Sequence, residues 1–268
     1  MHWGTRDVEI ELLPHLDGIL PRDEVHVWYI ELPVWEKDAE SLLSLLNQEE
    51  QERAARFKFL APRNQFVISR AMLRQVLGRY LRIEARDVHF HTTPNGKPEL
   101  ADTPDVHNEL RFNLSHTAGA GVIALTESRQ VGIDVERIRM DTNARELAER
   151  FFSRPEVEWL QSQPASEQIP AFFTCWTGKE AYLKANGQGL SMPLNSFGVL
   201  PDVGTDGFKL QLKVYENPQE ARRWFICQLD LGTDLRAALA VEGDSCRVRL
   251  GQLTPADVNA NTRSLLGN

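Results

Sequence analysis

Phe173-Thr174-Cys175-Trp176-Thr177-Gly178-Lys179-Glu180-Ala181-Tyr182-Leu183-Lys184 is the stretch from which the rest of the chain can be read. Its helical period is clear. With Phe172 at zero on a wheel of about 100° per residue, Leu183 falls near 20°, Trp176 near 40°, Glu180 near 80° and Phe173 near 100°. Glu180 therefore lies inside the apolar arc, where an unpaired carboxylate is costly. A surface Glu180–Lys184 pair is the plain alternative, but surface pairs do not normally sit in a Phe/Trp/Leu stripe. The pattern predicts a helix over about 170–186 that presents Glu180 and Lys184 to something other than bulk water.

Upstream lies Val131-Gly132-Ile133-Asp134-Val135-Glu136, a predicted strand. Asp134 and Glu136 leave one face, and Ile133 and Val135 the other. Taken alone, a D-x-E strand reads first as a solvated acidic edge. Joined to Glu180, it offers three hard oxygen donors, which suit Mg²⁺, and neighbouring lysines suit a phosphorylated substrate. Transfer at phosphorus is the chemistry to expect.

The remaining elements spread outward from these two. Strands are expected at 25–32, 111–116, 121–126, 131–138, 208–214, 224–229 and 236–241. Asn47, with Glu50 three residues on, predicts a capped helix running to about Leu60 and stopping near Pro62. A second helix is expected from about Asn64 to Leu81, with further helices at 142–152 and 154–162. Arg63, Arg70 and Arg74 share one side of the second helix; the reading is a solvated face, with anion binding as the alternative. Ser115-His116 reads as a polar turn after a strand, or else as a phosphate contact. Gly187-Gln188-Gly189 reads as a helix end and turn. Gly121–Glu127 (GVIALTE) faintly resembles Ala237–Gly243 (AALAVEG), a hint of duplicated halves. Residues 1–24 read as an irregular opening segment.

Composition narrows the class. The chain has 268 residues, 42% hydrophobic and 25% charged, as expected for a soluble globular protein. No apolar run reaches the ~18 residues of a membrane span, and the N-terminus lacks a secretory layout. Cys175, Cys227 and Cys246 show no disulfide or zinc spacing. The expected location is the cytoplasm. A net charge of −8 argues against general nucleic-acid binding. No G-x-S-x-G elbow surrounds Ser115, and no P-loop or strand-linked G-x-G-x-x-G is present.

Four segments in order carry a family likeness: Gly96-Lys97-Pro98; Phe112-Asn113-Leu114-Ser115-His116-Thr117; Gly132-Ile133-Asp134-Val135-Glu136; and Trp176-Thr177-Gly178-Lys179-Glu180-Ala181-Tyr182-Leu183-Lys184. Over roughly residues 45–250 the chain resembles the 4′-phosphopantetheinyl transferases of the single-chain Sfp type. Thr117 stands where that family often has serine. The resemblance implies an α+β fold of two similar halves related by a pseudo-twofold axis, with the active site in the cleft between them. The halves would be 1–127 and 128–252, with a tail at 253–268. It implies transfer of the phosphopantetheine arm of coenzyme A to a serine of an acyl- or peptidyl-carrier protein, releasing 3′,5′-ADP. It also implies Mg²⁺ on Asp134, Glu136 and Glu180, with Glu180 as or beside the base. Lys184 and Lys179 would lie at the phosphate, Lys97 and Pro98 at the adenine, and Ser115 and His116 at phosphate oxygens. Arg63 and Arg70 would supply cationic contacts to coenzyme A. Phe151 and Phe152 are candidates for carrier docking, with core packing as the alternative. A monomer is implied, since half-length relatives build the cleft between subunits. Two other readings use the same residues: a Mg²⁺-dependent nucleotide or pyrophosphate hydrolase, and a non-catalytic coenzyme A or carrier-docking module.

Overall fold

The computed structural model describes residues 3–5, 8–13, 15–101, 109–202 and 208–257, with backbone alone at 3–5, 8–9 and 190. The chain opens with β1 (Trp3–Thr5), β2 (Val8–Leu12) and β3 (Glu24–Glu31), then α1 (Ala39–Leu42), α2 (Gln48–Ala55) and the long α3 (Leu60–Leu81). A short hairpin, β4 (Phe90–Thr92) and β5 (Pro98–Leu100), leads into β6 (Leu110–Thr117) and β7 (Ala120–Glu127). The second half begins with β8 (Val131–Arg137), followed by α4 (Ala144–Phe151), α5 (Arg154–Ser162) and the long α6 (Gln168–Asn186). It continues through β9 (Phe197–Pro201), β10 (Lys209–Val214), α7 (Pro218–Ala221), β11 (Trp224–Leu229) and β12 (Leu235–Glu242). The last strand is β13 (Cys246–Gln252).

Strand order exposes the duplication. One sheet runs β1-β2-β13-β3-β7-β6, the other β8-β12-β11-β10-β9, and β4-β5 stand apart as a two-stranded ribbon. In each half an opening strand (β3, β8) pairs with the final strand (β7, β12), which pairs with the penultimate one (β6, β11). A long helix, α3 or α6, falls between the opening strand and the rest. The faint likeness of 121–127 to 237–243 is thus the likeness of two equivalent central strands, each flanked on both sides.

The opening segment departs from expectation. Val8–Leu12 pairs in parallel with β13, and β13 in turn with β3. β13, which has no counterpart among the expected strands and lies within the 128–252 stretch assigned to the second half, therefore belongs to the first sheet. The helix expected from Asn47 to Leu60 ends at Ala55, and α3 begins at Leu60 rather than Asn64. Pro62 sits in the first turn of α3, where its missing N–H would have had no intrahelical partner, so it does not stop the chain. The Asn47/Glu50 capping box is present.

The buried apolar residues form separate clusters, one of which joins the two sheets. β3, β7, β8, β11 and β12 contribute Val27, Val122, Ile133, Cys227 and Leu239 to one cluster shared by both sheets. The three cysteines are buried free thiols. Phe152 is buried and stacks on Phe172 with centroids 5.1 Å apart, so it packs in the core rather than offering a docking surface; Phe151 is half-buried against Trp176. Among the described residues no helix is long and apolar enough to cross a membrane.

Candidate active site

The halves meet where β6 lies beside β8, and each is the edge strand of its own sheet. An edge strand carries a row of unpaired N–H groups. Here side chains satisfy them: Ile133 N–H donates to Asn113 Oδ1 (2.9 Å), Val135 N–H to Ser115 Oγ (3.4 Å) and Arg137 N–H to Thr117 Oγ1 (3.2 Å). Alternation on β6 puts Asn113, Ser115 and Thr117 on one face, and alternation on β8 frees the N–H groups of 133, 135 and 137. The same hydroxyls hold the carboxylates. Ser115 Oγ donates to Asp134 Oδ1 (2.8 Å) and Thr117 Oγ1 to Glu136 Oε2 (3.1 Å).

Helix α6 packs across β8 at a distance that only glycine allows. A Cβ at Gly132 would collide with Ala181 O and Ala185 N and lie 2.9 Å from Ala185 Cα. That approach brings Lys184 to the junction, where its ammonium donates to Asp134 Oδ1 (2.7 Å), Ser115 Oγ (3.0 Å) and Ile133 O (3.2 Å). Burial, then Asp134 and Glu136, raise the Glu180 carboxyl above its usual range, with Lys184 opposing. Burial and Asp134 likewise raise Glu136. The three carboxylates lie near enough to repel one another.

They do not, however, close into one coordination set. Among the described residues no group of three or more His, Cys, Asp or Glu surrounds a single point. Lys184 supplies the local countercharge instead. The donor set still fits a hard divalent cation: Asp134 Oδ2 is buried without a hydrogen-bond partner, and three oxygen ligands in mutual repulsion are a typical prelude to one.

Two adjoining cavities flank the junction. One of about 250 Å³ is lined by Asn95, Lys97, Pro98, Glu180, Leu183 and Lys184, among others. The second, about 550 Å³, takes in Arg53, Arg70, Ser115, His116, Asp134 and Lys184. Gly96, Pro98, Asn113, Leu114 and Lys184 line both. Burial lowers Lys97 from 10.5 to about 8, and its ammonium reaches Val131 O (3.2 Å) across the junction. Burial and Lys184 lower His116. Gln65 Nε2 donates to its Nδ1 (2.7 Å), which leaves Nε2–H as the outward donor of a neutral ring.

Two expected site residues stand elsewhere. Lys179 is fully buried and directed into the second half: its ammonium donates to Glu156 Oε1 (2.8 Å), Glu156 Oε2 (2.7 Å) and Phe197 O (2.6 Å). A neighbour of Glu180 in sequence points about 100° away on a helix, so adjacency in the motif is no adjacency in space. Arg63 turns to Glu40 (2.9 Å). The arginine ridge is not a solvated face either, for Arg70 meets Glu50 (3.2 Å) and Arg74 is fully buried on the same carboxylate (2.6 Å). Sequence reading passed over Asn113, Thr117 and Gly132 as functional positions. The polar alternation 113/115/117 on a strand was the available signal; the need for glycine at 132 left none beyond the residue itself.

Known proteins resemble this chain over most of its length. Residues 130–240 match the 4′-phosphopantetheinyl transferase superfamily, and 33–128 match its N-terminal family, "4′-phosphopantetheinyl transferase, N-terminal". The chain is 37% identical to 4′-phosphopantetheinyl transferase HetI of Nostoc sp., over 82% of this chain and 89% of that protein. It is 33% identical to 4′-phosphopantetheinyl transferase Sfp of Bacillus subtilis, over 64% and 73% respectively. The solved holo-[acyl-carrier-protein] synthase of Thermotoga maritima aligns with 42% of this chain and 62% of its own, at 21% identity and a TM-score of 0.35. Two lobes with matching strand order, a polar junction carrying Asp134, Glu136, Glu180 and Lys184, and a relative this similar over most of both lengths lead to one assignment: the chain belongs to the 4′-phosphopantetheinyl transferase superfamily.

Proposed function

We propose that this protein moves the 4′-phosphopantetheine arm of coenzyme A to a serine hydroxyl of an acyl- or peptidyl-carrier protein and releases 3′,5′-ADP. In this reading it acts in the cytoplasm, and as a monomer, since both walls of the cleft come from one chain. The observation that carries the reading is the position of the Lys184 ammonium. It bridges Ser115 of the first half and Asp134 of the second where the two cavities join.

Phosphoryl transfer depends mainly on positioning and on neutralising charge at the transferring group. In this reading the serine Oγ–P bond forms as the P–O bond to 3′,5′-ADP breaks. Glu180 takes the serine proton, and its raised pKa makes its carboxylate a stronger acceptor. Lys184 holds positive charge against the leaving phosphate. Lys97, Arg70, Ser115 and the His116 Nε2–H line the cavities as anion contacts, with Pro98 walling the adenine end. Asp134, Glu136 and Glu180 would hold Mg²⁺, which supplies further positive charge to the pyrophosphate. Lys179 and Arg63 make no contact with the phosphates in this reading, given the carboxylates they already hold.

Intact-mass spectrometry tests this. The protein, coenzyme A, Mg²⁺ and an apo-carrier should yield a carrier heavier by ~340 Da, the mass moved when its hydroxyl attacks phosphorus. Consumption of coenzyme A with no heavier carrier would support hydrolysis and sink the proposal.

A further inference from the structure

The most elaborate buried polar cluster outside the cleft surrounds Glu156. This residue is the third of α5, and its Oε2 accepts from Ser153 N–H (2.8 Å) and Ser153 Oγ (2.6 Å). Its Oε1 accepts from Val199 N–H (2.8 Å) on β9, and both oxygens accept from Lys179 on α6. The Lys179 ammonium also donates to Phe197 O and lies 4.2 Å from the Phe197 ring centroid. Both side chains are fully buried. One carboxylate and one ammonium thus tie α5, α6 and β9 together.

A buried ion pair is a poor way to gain stability, because desolvation offsets the attraction, and a well-packed apolar pair does as well or better. What it supplies is direction. Lys179 fixes one azimuth of α6, about 100° from Glu180 and about 140° from Lys184. Next to it, a Cβ at Gly178 would lie 2.7 Å from Val199 Cγ1, so the helix is also pressed onto β9 at that point. On its cleft side α6 is pressed onto β8 at Gly132. A small rotation of α6 between these contacts would swing Glu180 and Lys184 relative to Asp134.

We infer that Glu156 and Lys179 are positioning residues for the transfer reaction: they lock the rotation of α6 and thereby aim Glu180 and Lys184 into the cleft. The inference rests on the reading given under Proposed function. The first half contains its own control. There Arg74 of α3, also fully buried, meets Glu50, the third residue of α2, at 2.6 Å, in a lobe whose long helix carries none of the carboxylates.

The test compares Lys179→Met, Glu156→Gln/Lys179→Met and Arg74→Met with the wild type, each assayed well below its melting temperature. Lys179→Met leaves a buried unpaired carboxylate and should lower both the melting temperature and kcat. A misplacement of about 1 Å corresponds to about 10²-fold in rate, with KM for coenzyme A within about twofold. The double variant should regain the melting temperature but not kcat, and Arg74→Met should lose stability while keeping kcat. Recovery of kcat together with stability in the double variant would reduce the pair to a structural role and overturn the inference. A raised KM with unchanged kcat in Lys179→Met would make it a coenzyme A contact and do the same. An equal kcat loss in Arg74→Met would also overturn it. A wild type that transfers nothing would instead overturn the underlying function.

Discussion

The two halves suspend their long helices in the same way. In the first, the capping glutamate Glu50 of α2 holds Arg74 of α3; in the second, Glu156 of α5 holds Lys179 of α6. The first pair is incomplete, since Glu50 Oε1 and Arg74 Nη2 lack hydrogen-bond partners among the described residues and Glu50 is shared with Arg70. The second is saturated. Past the anchor the helices diverge. Arg74 is followed by Gln75 and, five residues on, Arg79; Lys179 is followed by Glu180 and then Lys184. A duplicated frame thus bears chemistry in one copy, while the other copy supplies Asn113, Ser115 and Thr117 to hold the acidic strand.

That contrast is most easily broken at the equivalent cations. Lys184→Met should lower kcat/KM by about 10²–10³-fold, as expected when one donor to developing charge is removed. Arg79→Met, at the matching place in the first half, should change it less than about threefold; similar losses in both would erase the asymmetry. Next in size is Gly132→Ala. Overpacking against Ala181 and Ala185 should cost about 1–3 kcal/mol in a urea melt and reduce kcat at least tenfold. Gly121→Ala on β7, whose new methyl meets Ile30 Cδ1 at an ordinary contact distance of 3.4 Å, should cost less than Gly132→Ala in the same melt.

Lys97 sharpens the comparison through pH, because it belongs to the first half yet reaches Val131 O of the second. Burial holds it at about 8 rather than 10.5. The folded state therefore disfavours the protonated form. This group's contribution to stability is least below pH 8 and rises as pH climbs from 8 to 10.5, a rise that Lys97→Met should abolish. The ammonium is lost above about 8, so KM for coenzyme A should increase several-fold between pH 7 and 9 in the wild type and stay flat in the variant. Smallest of all is Arg63→Ala. An exposed partner such as Glu40 is worth about 0–1 kcal/mol, so both stability and kcat/KM should hold within about twofold.

Much of this was legible in the chain. The period of 170–186 placed Glu180 and Lys184 on the buried side of one helix, and the alternation of 131–136 placed Asp134 beside Glu136. Element types followed from β-branched runs and from the Asn47/Glu50 cap. What escaped was long-range. β13 pairs in parallel between β2 and β3, and no local pattern announces a strand returning across more than two hundred residues. The roles of Lys179 and Arg74 escaped because a cation in a helical motif looks the same whether its partner is a phosphate or a buried carboxylate. Only the packing of α5 on α6, and of α2 on α3, decides which.

The central claim is that one junction, built by both halves, places Glu180 against the incoming hydroxyl. Its most direct test pairs calorimetric binding of coenzyme A with intact-mass analysis of an apo-carrier for the wild type and Glu180→Gln. The account predicts that both proteins bind coenzyme A and that only the wild type makes the carrier heavier. A carrier modified by Glu180→Gln at the wild-type rate would contradict it.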